Sequence, residues 1–309
     1  MDLTRTANDI VAGVTALAFD GSSRFIFAGS GSTLSIFGED GSVKSRSRLF
    51  DGGEIIQGVV VTDDVVLVFA DKRFAILQPD SVRGGTWTTQ LVSGPCKDKI
   101  ICAAIDTATS TTTEDNAVSI LLGFFHNFVE ERKLTRQQNS VVTRLNGTCQ
   151  CPTKCLVYSM DIFPRRFTVP TTEARSDYYN VASGTIFSDI VLWRTNFSAK
   201  AGFVTHRLRG HDGVIFKARW SADGSQVASV SDDRTVRLWE ASPNPNKNGN
   251  SAENPETEFK NKFSSFGHRA RVWDVQFAGR HLVTISEDST ARVWDEQGNC
   301  VNIVTGHAQ

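Results

Sequence analysis

The sequence predicts an all-β protein, a β-propeller of about six blades, each a sheet of four antiparallel strands. Three observations point there. Short runs alternating apolar and polar residues recur along the chain, divided by Asp-Gly, Gly-Ser and Asp-Asp turns. The units they form start 41–59 residues apart, which brackets the length of a four-stranded blade plus its loops. Two late stretches also repeat one string: Gly210-His211, Ser231-Asp232-Asp233 and Trp239 in one, Gly267-His268, Ser286-Glu287-Asp288 and Trp294 in the other.

Taken in order, the first unit (10–50) reads VTALAF, RFIFAGSG, TLSIFG and SVKSRSRLF, with Phe37 where the late units place Trp. The second (51–95) reads IIQGVVV, VVLVFAD, RFAILQ and GTWTTQLV. The third (96–150) runs through CAAI, AVSILLGFF and NFVEERKL, with an expanded polar turn at 106–116. The fourth (151–209) has CLVYSMDIF, a loop from Pro164 to Asp177, YYNVASGTIFSDIVLW with Trp193 on an inner strand, and GFVTHRLR. The fifth (210–265) and sixth (266–307) carry the repeated string. Between their strands, residues 240–262 are rich in Pro, Asn and charge and are expected to be a disordered insertion. The chain stops at Gly306-His307-Ala308-Gln309, the doorway of another unit. Either six blades close on themselves or the chain is an incomplete seven-bladed ring cut from a longer protein, and the second is the favoured expectation.

The repeated string has a chemical reason and is that of the WD-type propeller repeat. The indole N–H of Trp239 can only donate, and Ser231 is the expected acceptor. That hydroxyl would donate to His211, whose other ring nitrogen reaches Asp233. Trp294, Ser286, His268 and Asp288 repeat the set. Losing one member leaves a buried polar group unpaired, costing roughly 1–3 kcal/mol. Ser, His and Asp together resemble a hydrolase triad, but catalytic triads are not duplicated along a sheet. The groups therefore read as structural, and no catalytic residue is expected.

Composition narrows the function further. The 309 residues are 40% hydrophobic and 22% charged, with net charge −1, so the surface as a whole is not a nucleic-acid platform. No apolar segment follows Met1-Asp2-Leu3-Thr4-Arg5, and the longest apolar run, Ala117 to Phe125, is half a membrane span. A cytoplasmic location is expected, with the six cysteines as thiols. Cys149, Cys151 and Cys155 lie within seven residues, but zinc wants a fourth ligand and no His completes the set, so no metal is expected. No Gly-rich loop opens a helix, so no nucleotide cofactor is expected either. His126, His206 and His281 stand apart from any nucleophile.

A partner surface is expected on the blade ends. Residues flanking the first core position of each inner strand, and the one before the repeat Asp, should share one face. These are Val214, Phe216 and Asp232 in the fifth unit and Arg271, Trp273 and Glu287 in the sixth. An aromatic pair with an Arg and two acids suits a protein hot spot; the competing reading has Phe216 and Trp273 filling the seam between blades. Trp220 and Phe277 fall at the buried end of the same strands. Basic pairs at Arg132-Lys133, Arg165-Arg166, Arg207-Arg209 and Arg269-Arg271 would form a local rim for RNA phosphates if they converged.

Residues 210–239, GHDGVIFKARWSADGSQVASVSDDRTVRLW, and 267–294, GHRARVWDVQFAGRHLVTISEDSTARVW, go beyond a generic repeat. With CLVYS and NVASGTIFSDIVLW upstream, they resemble the WD-repeat adaptor family that partners FtsJ-type tRNA 2′-O-methyltransferases. The similarity covers about 155–309, whereas 1–154 match in layout only. The resemblance implies a non-catalytic subunit that holds a methyltransferase and presents tRNA for ribose methylation at the wobble nucleotide. Family members are about three times longer, so methyltransferase binding by this chain alone does not follow from it. The alternative is a generic WD interaction platform, such as a ubiquitin-ligase substrate receptor or a signalling scaffold.

Overall fold

The computed structural model describes residues 13–22, 24–51, 53–80, 86–107, 118–137, 140–164, 167–170, 175–243 and 257–306. Among them every regular element is a strand, grouped into six four-stranded antiparallel sheets and one hairpin, the blades of a WD-repeat β-propeller. Among the described residues no helix is long and apolar enough to cross a membrane. The extended turn at 108–116, the Arg165-Arg166 pair, the middle of the insertion (244–256) and His307 lie outside the described residues.

Blade 1 is β1 (Val14–Phe19), β2 (Phe25–Ser30), β3 (Thr33–Gly38) and β4 (Val43–Arg48). Blade 2 is β5 (Gly58–Val61), β6 (Val66–Phe69), β7 (Phe74–Pro79) and β8 (Trp87–Val92). Blade 3 is β9 (Ile100–Asp106), β10 (Val118–Phe124), β11 (Phe128–Gln137) and β12 (Ser140–Gln150). In blade 4, β13 (Val157–Ile162) is followed by a hairpin of β14 (Phe167–Pro170) and β15 (Arg175–Tyr178), then β16 (Asn180–Thr185), β17 (Asp189–Arg194) and β18 (Phe203–Arg209). Within the expected loop from Pro164 to Asp177, Phe167–Pro170 therefore pair with Arg175–Tyr178, Phe167 opposite Tyr178. Its polar composition hid backbone pairing, which depends on no particular side chain.

Blade 5 is β19 (Ile215–Trp220), β20 (Gln226–Ser231), β21 (Val236–Pro243) and β22 (Thr257–Ser265); blade 6 is β23 (Val272–Ala278), β24 (His281–Ser286), β25 (Ala291–Trp294) and β26 (Cys300–Val304). The insertion is shorter than its composition implied. Glu240 to Pro243 pair with Lys260 to Thr257 and extend the sheet. Phe259 turns inward against Trp220 while Lys262 bridges Glu240 at 2.8 Å. Burying two aromatic rings outweighs the coil preference of the flanking Asn and Lys residues.

The chain divides into two compact units, residues 1–122 with 131–146, and 123–130 with 147–309. In the first, Phe27, Leu34, Ile36, Ile56, Val66, Val68 and Leu77 form a closed core against Trp87, whose ring meets Phe27 edge-on at 5.5 Å. In the second, the two faces of each inner strand serve different seams. Val227 and Trp239 pack against Ala182, Ile190, Leu192 and Leu208 of blade 4. Ala228, Val230 and Leu238 pack against Val272, Val275, Leu282 and Trp294 of blade 6. Strand alternation explains both the split and the near-continuous apolar runs, since an inner strand is covered on both sides. Outer strands have only one neighbour strand, and all of β26 is exposed.

Two irregularities recur at matched places. Between the first and second strands an extra residue bulges out after Val14, Val157, Ile215 and Val272. Between the third and fourth strands the register shifts just before Phe37, Leu77, Trp193, Trp239 and Trp294. Phe37 therefore occupies the Trp position in register as well as in sequence, opposite Ile26 as Trp239 is opposite Val227. A bulge re-aims the side chain of its extra residue, and here those residues are Thr15, Tyr158, Phe216 and Trp273.

Candidate functional site

The polar networks of blades 5 and 6 use a different hydroxyl from the expected one. Trp239 Nε1–H donates to Ser229 Oγ at 2.9 Å, and Ser229 Oγ lies 2.9 Å from His211 Nε2. His211 Nδ1 lies 2.8 Å from Asp233 Oδ2, and the Thr235 hydroxyl donates to Asp233 Oδ1 at 2.7 Å. In blade 6 Trp294 donates to Thr284 Oγ1 at 2.9 Å, which sits 2.7 Å from His268 Nε2, while His268 Nδ1 lies 3.0 Å from Asp288. Ser231 and Ser286 instead close turns, their Oγ atoms accepting the Asp233 and Asp288 N–H groups. The sequence spacing placed the hydroxyl on the correct strand face but one alternation too far. Trp239 stands opposite Val227, so Ser229 is its diagonal neighbour at about 7–8 Å. Ser231 lies four residues along from Val227, about 13 Å by strand rise, beyond the reach of the indole.

A glycine precedes each histidine, and at Gly210 the backbone takes φ 152°, which favours glycine. A Cβ on Gly210 or Gly267 would stand 2.6 Å from the Arg237 or Arg292 guanidinium, respectively. Blade 4 keeps the indole–hydroxyl pair and replaces the histidine. Trp193 Nε1–H donates to Ser183 Oγ at 3.0 Å, and Ser183 donates to Asn127 Oδ1 at 2.8 Å. Asn127 is fully buried in the β10–β11 turn at φ 60°. Ser188, Arg234 and Ser289 hold the same left-handed turn position in blades 4, 5 and 6. Asn tolerates that conformation better than most residues, and its amide reaches across to the next blade. No sequence signal marks a partner 56 residues from Ser183.

Within these networks the His, Asp and hydroxyl groups pair with one another. Every group is satisfied when Nδ1–H of the neutral ring donates to the carboxylate and Nε2 accepts the hydroxyl proton. Burial holds the His211 and His268 imidazoles below their usual value, only partly opposed by Asp233 and Asp288. An unfolded imidazole takes its proton near pH 6.5, whereas these folded rings take theirs lower, so the unfolded state binds more protons in that window and stability falls. Burial resists ionisation of Asp233 and Asp288, yet hydrogen bonds from His211, Thr235 and the Asp212 N–H, and from Thr290, the Arg269 N–H and His268, hold both below the usual carboxylate range. They add a second loss as pH drops through about 4. Thermal melts should therefore show Tm falling between about pH 7 and pH 5.5, and more steeply below pH 4. His211→Gln with His268→Gln should lower Tm at neutral pH and flatten the first fall. An unchanged slope in the double variant would show that other groups set it.

The six surface residues singled out in sequence come together. Phe216 and Trp273 stack with centroids 4.6 Å apart at 43°. Arg271 reaches across from blade 6 to Asp232 at 2.9 Å and lies 3.9 Å from Glu287. Val214 and Arg271 accept matching backbone bonds from Asp232 and Glu287, 3.0 Å each. Trp273 is 41% exposed and Phe216 half-buried, so Phe216 fills the seam while Trp273 stands on the surface. Sequence reading missed two rings that continue this line. Tyr158, 53% exposed, meets Phe216 edge-on at 5.8 Å, and Phe125 meets Tyr158 at 6.5 Å. Tyr158 follows buried Val157 as Phe216 follows Ile215, and that parallel could have revealed it. Trp220 and Phe277 pack half-buried against the seam cores.

Among the described residues no cluster of three or more His, Cys, Asp or Glu could hold a metal ion. Cys149 and Cys151 are buried thiols, Cys149 accepting the Asn196 N–H and Cys151 pushed up to about 12 by burial. Arg207 is tied to Asp189 at 3.0 Å, and Arg132 lies over the Phe74 ring.

The WD domain, G-beta repeat family matches residues 202–240 and 259–295. Over 130 residues the chain is 28% identical to the tRNA (34-2'-O)-methyltransferase regulator WDR6 of Mus musculus, covering 41% of this chain and 11% of that protein. The regulator of the same name from Drosophila melanogaster is 29% identical over 133 residues, 39% of this chain and 13% of the relative. The nuclear distribution protein PAC1 of Candida glabrata is 40% identical over 78 residues, 24% of this chain and 16% of that protein. The chain carries WD40 repeats, and each of these three matches spans under a fifth of the relative's length.

Proposed function

We propose that this chain is a non-catalytic WD-repeat adaptor for 2′-O-methylation of the tRNA wobble nucleotide, working in the cytoplasm with an FtsJ-type methyltransferase subunit. The carrying observation is the similarity to WDR6 regulators, which runs over 130 residues, well beyond one repeat. The geometry is consistent with a role without chemistry, because the Ser, Thr, His and Asp groups that resemble a triad are consumed in locking blades. Val214, Phe216, Asp232, Arg271, Trp273 and Glu287 are the proposed contact set, a central aromatic pair with a polar rim. Direct tRNA contact through a basic rim has less support, since Arg207 and Arg271 already pair with carboxylates.

The test is affinity purification of the tagged chain from its own cells, with wobble ribose methylation measured in a deletion strain. Co-purification of an FtsJ-type methyltransferase, with methylation lost on deletion, is the expected result. Unchanged methylation and no methyltransferase among the partners would overturn the reading and leave a generic interaction platform.

A further inference from the structure

Four rings form one continuous row, Tyr158 and Trp273 exposed and Phe125 and Phe216 half-buried. From Phe125 through Tyr158 and Phe216 to Trp273, successive centroids lie 6.5, 5.8 and 4.6 Å apart. Three of the four are bulge residues of neighbouring blades, so the same backbone device aims each ring to the same face. Exposed aromatic surface on this scale loses free energy to water unless something covers it. The two ends differ in charge. Beyond Phe125, whose ring meets His126 at 5.7 Å, opens a cleft of about 540 Å³ lined by His126, Gln150, Lys154, Cys155 and Leu156. Among the described residues no carboxylate pairs with the Lys154 ammonium there. At the other end Asp232 and Glu287 share the single guanidinium of Arg271, leaving an excess of negative charge beside Trp273.

We propose that this row is a docking strip for an extended segment of a partner protein. The segment has apolar side chains at alternate positions, a carboxylate at the Lys154 end and a cationic side chain at the Asp232–Glu287 end. An extended chain rises about 3.3 Å per residue, so a segment on the order of five or six residues spans the row, its alternate side chains falling on successive rings. The polarity favours protein over nucleic acid, because a phosphate backbone laid along the rings would run past two carboxylates at Trp273. The proposal deepens the adaptor reading, on which it rests only in taking the partner to be a protein.

The test is selection of a phage-displayed library of twelve-residue peptides on the full chain, counter-screened on Tyr158→Ser/Trp273→Ser. Both replaced rings are surface residues, and an unchanged Tm checks that the variant folds. Enriched peptides should alternate apolar residues and carry opposite charges at their ends. The best of them, synthesised, should bind at least tenfold more weakly to the double variant and to Asp232→Lys. No enrichment over the counter-screen would overturn the strip, as would tighter row-dependent binding of a twelve-nucleotide oligouridylate. Indifference to Asp232→Lys would overturn its polarity. If a methyltransferase co-purifies with the chain but no peptide is enriched on the row, the strip falls and the adaptor reading stands; if peptides bind the row but no methyltransferase co-purifies, the reverse holds.

Discussion

Trp239→Ala should destabilise the chain by about 3–5 kcal/mol, the range for removing a large buried aromatic side chain. The indole is 3% exposed and fills the seam against Ala182, Ile190, Leu192 and Leu208 of the preceding blade. Its loss leaves a void that strands covered on both sides cannot close. Trp239→Phe keeps most of the packing and deletes the donor to Ser229, so its cost should be clearly smaller. Phe37→Ala, at the matched position of blade 1, removes a half-buried ring that can form no indole–hydroxyl bond. Urea unfolding of the three variants should rank them with Trp239→Ala as the most damaging. A Trp239→Ala cost no larger than that of Phe37→Ala would remove the seam from the account of stability.

The second large effect separates two hydroxyls that sequence alone confuses. Thr284→Val alters side-chain shape very little but strips the partner from both the Trp294 indole and His268 Nε2. Each orphaned group costs roughly 1–3 kcal/mol in a buried site, so about 2–6 kcal/mol is expected for the pair. Ser286→Ala should cost about 1 kcal/mol or less, because Ser286 serves half-exposed turn backbone rather than the indole. Ser229→Ala against Ser231→Ala should show the same ordering in blade 5. Equal losses at Thr284 and Ser286 would mean that the network runs through the turn hydroxyl after all.

Much of this architecture was legible because it rests on local chemistry. Alternation, turn residues and the Gly-His to Trp spacing place the strands of blades 5 and 6, and their fold class follows. The hydroxyl was misassigned because residues 229 and 231 share a strand face, and alternation cannot choose between them. Glu240 to Pro243 and Thr257 to Lys262 looked like disordered chain, since Asn, Pro and charge dominate there. Their backbone pairs and Phe259 reaches Trp220, which no composition reports.

The chain's own order of residues determined that it builds strand after strand into four-stranded blades, and that indole, hydroxyl, imidazole and carboxylate groups lock the late ones, since those features recur at fixed spacings of 10 to 22 residues inside one repeat. Tertiary structure decided that Asn127 serves the Trp193 pair and that Phe125, Tyr158, Phe216 and Trp273 form one row. Those groups lie on different blades, tens of residues apart in sequence. Only packing brings them within hydrogen-bond or ring-contact distance.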